Sequence, residues 1–386
     1  MASGKKRNEL LLGLTITAAS VAVTLLLAEL VLFRLVLPGS DRLVYDFSQN
    51  GVVKYVPNQT GVYRVKNEIA APFHINQDGW NSGHESYRTE KGGRLRIAVI
   101  GDSYVEALQV PYDSSLAEQM EELCGGECEV YRFGISGAPL SQYWHVLRQE
   151  VASYNSDWVV VIMVQNDFDE SFIYREPVRR SAFLKLKMEG DRVIGEEYPS
   201  PPFVPWYEPL QRLGIYRSLW IRFQLRAALV RSTGLNDPNN VPEIGGQLGA
   251  MRGAAQYAIE RMRGLAAERG FRLLLVMDGD RMAIYREQEG EAASANKGVR
   301  SLHDMVREVA READVELLDL HDLFEEDYRR NHHLFNFAND YHWNGYTHAF
   351  VAQEVYRRIE ALLGTQQPER TSPPTTGSQF PGALPD

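Results

Sequence analysis

Residues 95–103 read Leu-Arg-Ile-Ala-Val-Ile-Gly-Asp-Ser. The apolar run Ile97 to Ile100 has the character of a strand buried on both faces, as in a parallel sheet, where alternation gives way to continuous hydrophobicity. It stops abruptly at Gly101-Asp102-Ser103. In an open α/β sheet, ligands bind beyond the carboxyl ends of the strands. A serine at that point is placed to present its hydroxyl to a substrate.

The same arrangement recurs along the chain. Val130 to Ile135 leads into Ser136-Gly137, and Trp158 to Val164 leads into Gln165-Asn166-Asp167. Two more buried strands are expected at Arg272 to Val276 and Val315 to Leu320. Helical periodicity falls between them, at Leu116–Leu123, Ser141–Tyr154, Ala254–Glu268, Val299–Ala313 and His348–Leu363. Strands alternating with helices predict an α/β domain with a parallel sheet.

The chemistry follows from what stands at the strand ends. A serine is a poor nucleophile until a base removes its proton, and that base is commonly a histidine held by a carboxylate. Asp340 and His342 are two residues apart, close enough for the carboxylate to orient the imidazole. Gly137 supplies a backbone amide and Asn166 a side-chain amide, the donors that an oxyanion hole requires. Val105 stands where the second glycine of Gly-x-Ser-x-Gly would be, which argues against a nucleophile elbow.

These residues resemble the SGNH (GDSL-type) hydrolase family, membrane-anchored bacterial type. Its blocks are a Ser in Gly-Asp-Ser, a Gly, an Asn in Gly-x-Asn-Asp, and a His in Asp-x-x-His. Ser103, Gly137, Asn166 and His342 match them in the same order, and the resemblance spans roughly residues 68–363. It implies a flavodoxin-like three-layer α/β/α sandwich. It also implies a catalytic triad of Ser103, His342 and Asp340, and an oxyanion hole from the Ser103 and Gly137 amides and the Asn166 side chain. Two positions depart from the pattern. Val164 replaces the Gly of Gly-x-Asn-Asp, and Asn339 occupies the usual place of the Asp. Asp340 is therefore assigned as the triad acid, with Asp167 the alternative carboxylate.

The N-terminus constrains location. Leu10 to Ala28 carries no charge and follows Lys5-Lys6-Arg7. Such a run suits a transmembrane helix better than a shorter signal-peptide core. The basic end predicts a cytoplasmic N-terminus and a catalytic domain outside, periplasmic or extracellular. Glu29 lies about 28 Å beyond Leu10 at 1.5 Å per residue, near the far interface. With a formal net charge of −10, nucleic acid is not an expected partner.

The expected organisation is a cytoplasmic tip and anchor at 1–37, a connector with edge strands at 38–94, the hydrolase domain at 95–364 and a disordered tail at 365–386. Residues 171–245 break the alternation and read as an insertion, with a hairpin around Gly190-Asp191. Within it, Tyr216, Leu219, Trp220, Phe223, Ala227 and Val230 share a helical face beside Arg217, Arg222 and Arg226. That face either packs on the catalytic domain or lies on an anionic membrane surface. Cys124 and Cys128, four apart, suit a local disulfide outside the cytoplasm. His332-His333 reads as a polar loop rather than a metal site, and no cofactor or metal is expected.

The activity expected is that of an esterase on ester-bearing substrates such as O-acylated polysaccharide. A membrane acyl-donor protein would be a partner if the enzyme is instead an O-acyltransferase. A non-catalytic carbohydrate-binding or assembly subunit is the remaining class.

Overall fold

The computed structural model describes residues 2–47, 51–173, 182–198, 208–225, 247–288 and 297–364. Helix α1 (Ala2–Leu27) continues through wider π-helical turns at Ala28–Val36. The stretch Arg7–Val36 is long and apolar enough to cross a membrane. Four short strands follow: β1 (Tyr45–Asp46), β2 (Lys54–Tyr55), β3 (Thr60–Val65) and β4 (Ile69–His74). They pair as two antiparallel hairpins, β1 with β2 and β3 with β4, and do not join the main sheet. They are therefore not edge strands of that sheet. Yet Val52, Val53, Tyr55, Phe73, Ile75, Trp80 and Tyr87 are buried in the central core, so this stretch is part of the packed body.

The main sheet begins with β5 (Leu95–Gly101), which leads into a single helical turn, α2 (Ser103–Glu106), then α3 (Leu116–Leu123). Next come β6 (Cys128–Gly134), α4 (Leu140–Gln149) and β7 (Trp158–Met163). The expected helix to Tyr154 ends at Gln149, and Val151–Tyr154 tightens into a 3-10 turn. The insertion holds the hairpin β8 (Lys185–Glu189) and β9 (Arg192–Glu197), and then α5 (Gly214–Tyr216), extended by π-helical turns at Arg217–Arg222. The chain closes with α6 (Leu248–Arg269), β10 (Arg272–Met277), α7 (Arg281–Gln288), α8 (Lys297–Glu312), β11 (Glu316–Asp319), α9 (His321–Asn331) and α10 (Gly345–Gly364).

The five parallel strands lie in the order β11-β10-β7-β5-β6. Numbered within the sheet, that is the 2-1-3-4-5 order of the flavodoxin-like fold. Both faces are covered, and this explains the continuous apolar strands. Ala98, Ile100, Val159, Val161, Leu273 and Leu275 face α4, α6 and α8. Their neighbours Ile97, Val99, Val160, Ile162, Leu274 and Val276 face α3 and α10. A period of two thus divides each strand between two apolar layers. The strand order reverses between β5 and β7, and in such sheets the crevice at that reversal is where ligands bind.

Cys124 and Cys128 are joined by a disulfide across the turn from α3 to β6. Of the basic amphipathic face, Ala227, Val230 and Arg226 lie outside the described residues, as do the Pro-rich stretch 199–207 and the tail 365–386. The described part lies against both the end of the N-terminal helix and the β3–β4 turn, where the Lys66 N–H donates to the Arg222 carbonyl at 2.6 Å, and Tyr216, Leu219 and Phe223 are half-buried. Gly214 and Ser218 are its buried positions, and they face the end of the N-terminal helix. Trp220 is 41% exposed.

Candidate active site

Ser103, Gly137 and Asn166 stand at the carboxyl ends of β5, β6 and β7, three neighbouring strands. Close packing at the strand ends explains the glycines there. A Cβ on Gly134 would lie 2.1 Å from the Glu106 nitrogen, and one on Gly101 would lie 2.4 Å from Val105 Cγ2. Gly137 has φ of 75°, in the left-handed region that favours glycine. Val164 is extended, at φ −121°, so nothing in the backbone demands the glycine it replaces.

Ser103 opens α2, whose cap is Asp102: its carboxylate accepts the Tyr104 N–H at 3.0 Å. The serine is buried to 7% exposure. His342 Nε2 lies 2.8 Å from Ser103 Oγ. On the other side of the ring, Nδ1 is hydrogen-bonded to Asp340 Oδ1. An ionised carboxylate can only accept, so Nδ1 carries the proton and Nε2 offers its lone pair to the serine hydroxyl. Asp102 Oδ2 is a second acceptor for that hydroxyl, at the longer distance of 3.2 Å.

The two-residue spacing has a local cause. Asp340 Oδ1 also accepts the backbone N–H of His342 at 3.0 Å. This Asx turn folds the carboxylate back over the residue two positions on, bringing it against the imidazole. Asn339, in the family's usual acid position, faces elsewhere. Its backbone N–H and its Nδ2 donate to Glu68 Oε2, and its Oδ1 accepts from Lys66 Nζ. Asp167 is turned away as well. It is fully buried and accepts from the Tyr143 hydroxyl at 2.9 Å and from the Val164 N–H at 2.8 Å. Those bonds shape the turn that presents Asn166. The Asn166 side chain is half-buried and takes no hydrogen bond from the described residues.

The electrostatics suit a base. Burial opposes protonation of His342, but the hydrogen bond and charge of Asp340 outweigh it and raise the imidazole above its usual value. Burial likewise pushes Asp340 up, and its bonds to His342 bring it below the ordinary carboxylate range. Burial lifts Asp102 to about 6, against the pull of the Tyr104 N–H and of His342. Asp167 is pushed well up by burial and by the charge of Asp102.

Several supporting residues were not singled out from the sequence. The Tyr104 ring lies 5.1 Å from the His342 ring, and its hydroxyl donates to the Tyr341 carbonyl while accepting from Arg281 at 2.6 Å. Asp278 ties Arg281 to the Trp343 indole N–H. Glu106 accepts from the Ser136 N–H, the Ser136 hydroxyl and the Tyr55 hydroxyl, fixing the Gly137 loop. Asp102 at a strand end carried the only local signal among these; the others need the fold to bring them in. His333 packs on Tyr346, and His332 closes α9 at φ 54°. Among the described residues no group of three or more His, Cys, Asp or Glu side chains could hold a metal.

Residues 247–385 match the family model described as SGNH hydrolase-like domain, acetyltransferase AlgX. That stretch contains Asp340 and His342. The chain is similar to the solved structure of an acetyl xylan esterase, AlAXEase, at 14% identity and a TM-score of 0.39, over 69% of this chain and 100% of that one. A lipase/acylhydrolase from Enterococcus faecalis aligns at 12% identity and 0.38, over 69% and 96%. A two-domain esterase active on acetylated mannans aligns at 12% and 0.36, over 76% and 54%. No curated protein sequence matches the chain.

Proposed function

We propose that this chain, whose residues 247–385 match a model described as SGNH hydrolase-like domain, is a membrane-anchored serine esterase whose catalytic domain faces away from the cytoplasm. The observation that carries the reading is the alignment of Ser103 Oγ, His342 and Asp340, with 2.8 Å between hydroxyl and imidazole.

Ser103 Oγ attacks an ester carbonyl while His342 Nε2 takes its proton. Asp340 holds the tautomer and stabilises the imidazolium. The oxyanion forms against the Ser103 and Gly137 amides and the Asn166 side chain. The ester C–O bond breaks, the leaving alcohol receives the proton from His342, and an acyl-serine remains. Water, deprotonated by His342, then releases the acid. These steps use side chains and backbone of this chain alone.

Envelope or exported polysaccharide carrying O-acetyl groups is the proposed substrate, on the strength of the outward-facing domain. The basic Lys5-Lys6-Arg7 before the apolar run supports a cytoplasmic N-terminus. A second reading has a specific support, the acetyltransferase in the family description. In it a sugar hydroxyl replaces water as acceptor, and the acyl group comes from a membrane donor.

The test is labelling of the full chain with a fluorophosphonate, followed by product analysis on an acetyl ester with and without a sugar acceptor. Labelling of the parent and none of Ser103→Ala is expected. Equal labelling of both overturns the nucleophile. Free acetate supports the esterase, and acetylated sugar the transferase.

A further inference from the structure

Among the described residues, the segment 208–225 carries apolar side chains that stay partly exposed. Leu210, Leu213, Trp220 and Leu225 are 37–44% exposed. This same segment is bonded to the end of the N-terminal helix. The Glu29 carboxylate accepts the Gly214 N–H at 2.7 Å and the Ile215 N–H at 2.9 Å. The Ser218 hydroxyl donates to the Leu37 carbonyl at 2.7 Å. The contact is close: a Cβ on Gly214 would lie 3.2 Å from the Phe33 carbonyl oxygen, and one on Gly39 would lie 2.6 Å from Arg217 Cβ. Two helical pieces far apart in sequence thus abut at residues 29–39.

Length places that contact. The candidate span Arg7–Val36 has 30 residues. At 1.5 Å per residue it is about 45 Å long, against a hydrocarbon thickness of about 30 Å. With Lys5-Lys6-Arg7 at one interface, the hydrocarbon ends near Glu29, and the turns beyond it lie in the opposite headgroup layer. Whatever packs on those turns lies there too. Glu29 fits this boundary, since a carboxylate leaving water needs the two amide donors it has.

We propose that residues 208–225 form an interfacial collar, whose exposed Leu210, Leu213, Trp220 and Leu225 enter the headgroup–acyl boundary of the leaflet from which the helix emerges. The inference rests on the membrane-spanning reading of the N-terminal helix. The occupant of this surface is lipid, because the surface is continuous with the span itself. Tryptophan at the boundary and leucine just below it are the residues such a layer favours. Arg212 is exposed, so in this placement it can meet headgroup phosphates, whereas Arg217 and Arg222 serve the protein: Arg217 pairs with Asp41, and Arg222 donates to Pro38 O, Lys66 O and Asn67 Oδ1. Through the Lys66–Glu68 turn the collar reaches Asn339, next to Asp340. The collar therefore sets the catalytic loop at a fixed height over the bilayer.

The experiment uses the full chain in nanodiscs of equal parts phosphatidylcholine and phosphatidylglycerol. Leu213→Cys and Trp220→Cys carry an environment-sensitive fluorophore; Cys124 and Cys128 are closed in their disulfide. Leu14→Cys reports the span, and Ile194→Cys, on the β8–β9 hairpin, reports water-exposed surface. Quenching by lipids bearing a nitroxide high on the acyl chain is compared with quenching by aqueous iodide. Labels at 213 and 220 are expected to show at least about twofold more lipid quenching than the label at 194, and protection from iodide. If the label at 14 is quenched by lipid while those at 213 and 220 behave like 194, the collar is wrong and the span stands. If the label at 14 is not quenched, the span is wrong and the collar falls with it. Labels at Leu210 and Leu225 give the same reading should a substitution at 213 or 220 disturb folding.

Discussion

Glu68 holds Asn339 by two hydrogen bonds to one oxygen: Oε2 accepts the Asn339 backbone N–H at 2.8 Å and its Nδ2 at 2.9 Å. Its other oxygen accepts the Ala338 N–H. The hairpin tip between β3 and β4 therefore grips the residue directly before Asp340, although the two are 271 positions apart.

That grip predicts a positioning role for Glu68. Glu68→Ala should lower kcat by about 10-fold to 10²-fold with KM little changed, because small displacements of a catalytic group cost rates of that order. Glu68→Gln, which keeps an acceptor oxygen, should recover much of the loss. Steady-state kinetics on a soluble acetyl ester will check it. A change in KM alone would show that the turn acts on binding.

The acid of the triad is tested by three substitutions measured together. Asp340→Asn should cost about 10²–10⁴ in kcat, since an amide favours the wrong imidazole tautomer. Asn339→Ala should cost much less, being felt only through the Glu68 contact. Asp167→Asn keeps acceptors for Tyr143 and Val164 and should leave kcat near that of the parent. A loss at Asp167 with none at Asp340 would reverse the assignment.

Asn166→Ala removes one proposed oxyanion donor. The expected loss is about 10²–10³ in kcat with KM nearly constant. A rise confined to KM would make Asn166 a substrate-binding residue instead.

Two histidines predict opposite responses to pH. His342 is raised above the ordinary 6.5, and once protonated it cannot accept the Ser103 proton. The acid limb of kcat/KM should therefore lie above 6.5. In stability the raised His342 contributes fully below 6.5 as long as Asp340 is ionised and fades as pH rises through the folded His342 value, whereas the lowered Asp340 loses its contribution as pH falls through its own folded value. His348 is buried, accepts the Leu116 N–H at its Nδ1, and is lowered to about 3. The unfolded chain takes up a proton there that the folded chain refuses, so stability falls as pH drops from 6.5 toward 3. His348→Asn, which retains an acceptor, should flatten that acid-side fall in Tm. An unchanged slope would exclude His348 as its source.

Local chemistry was enough to place most of this fold. Strands covered on both faces are mostly apolar, so β5, β7 and β10 announce themselves as apolar runs that end at Gly101, the Asn166 turn and Met277, while β6, which also buries Glu129 and Arg132, ends at Gly134. Ser103, Gly137, Asn166 and His342 stand out as candidates because each stands at such an end or in a turn beside a helix, where neighbours in sequence are neighbours in space. Helices α7 and α9 were not expected. Their polar faces mask the stripe that buries Ile284 and Phe324, and only the sheet supplies the surface they need.

The tertiary structure decided the rest. The Asx turn that brings Asp340 onto His342 is local, but sequence alone leaves Asn339 and Asp167 as competitors. The choice depends on which side chain Glu68, Lys66 or Tyr143 draws away, and those residues come from distant parts of the chain. Likewise Glu29 reads in sequence only as a charge near the end of an apolar helix. Its role as the carboxylate capping Gly214 and Ile215 arises because folding brings residue 214 beside it. Periodicity and turn chemistry act over a few residues and can be read from a chain. Hydrogen bonds across hundreds of positions depend on how the layers meet, and only the packed structure determines that.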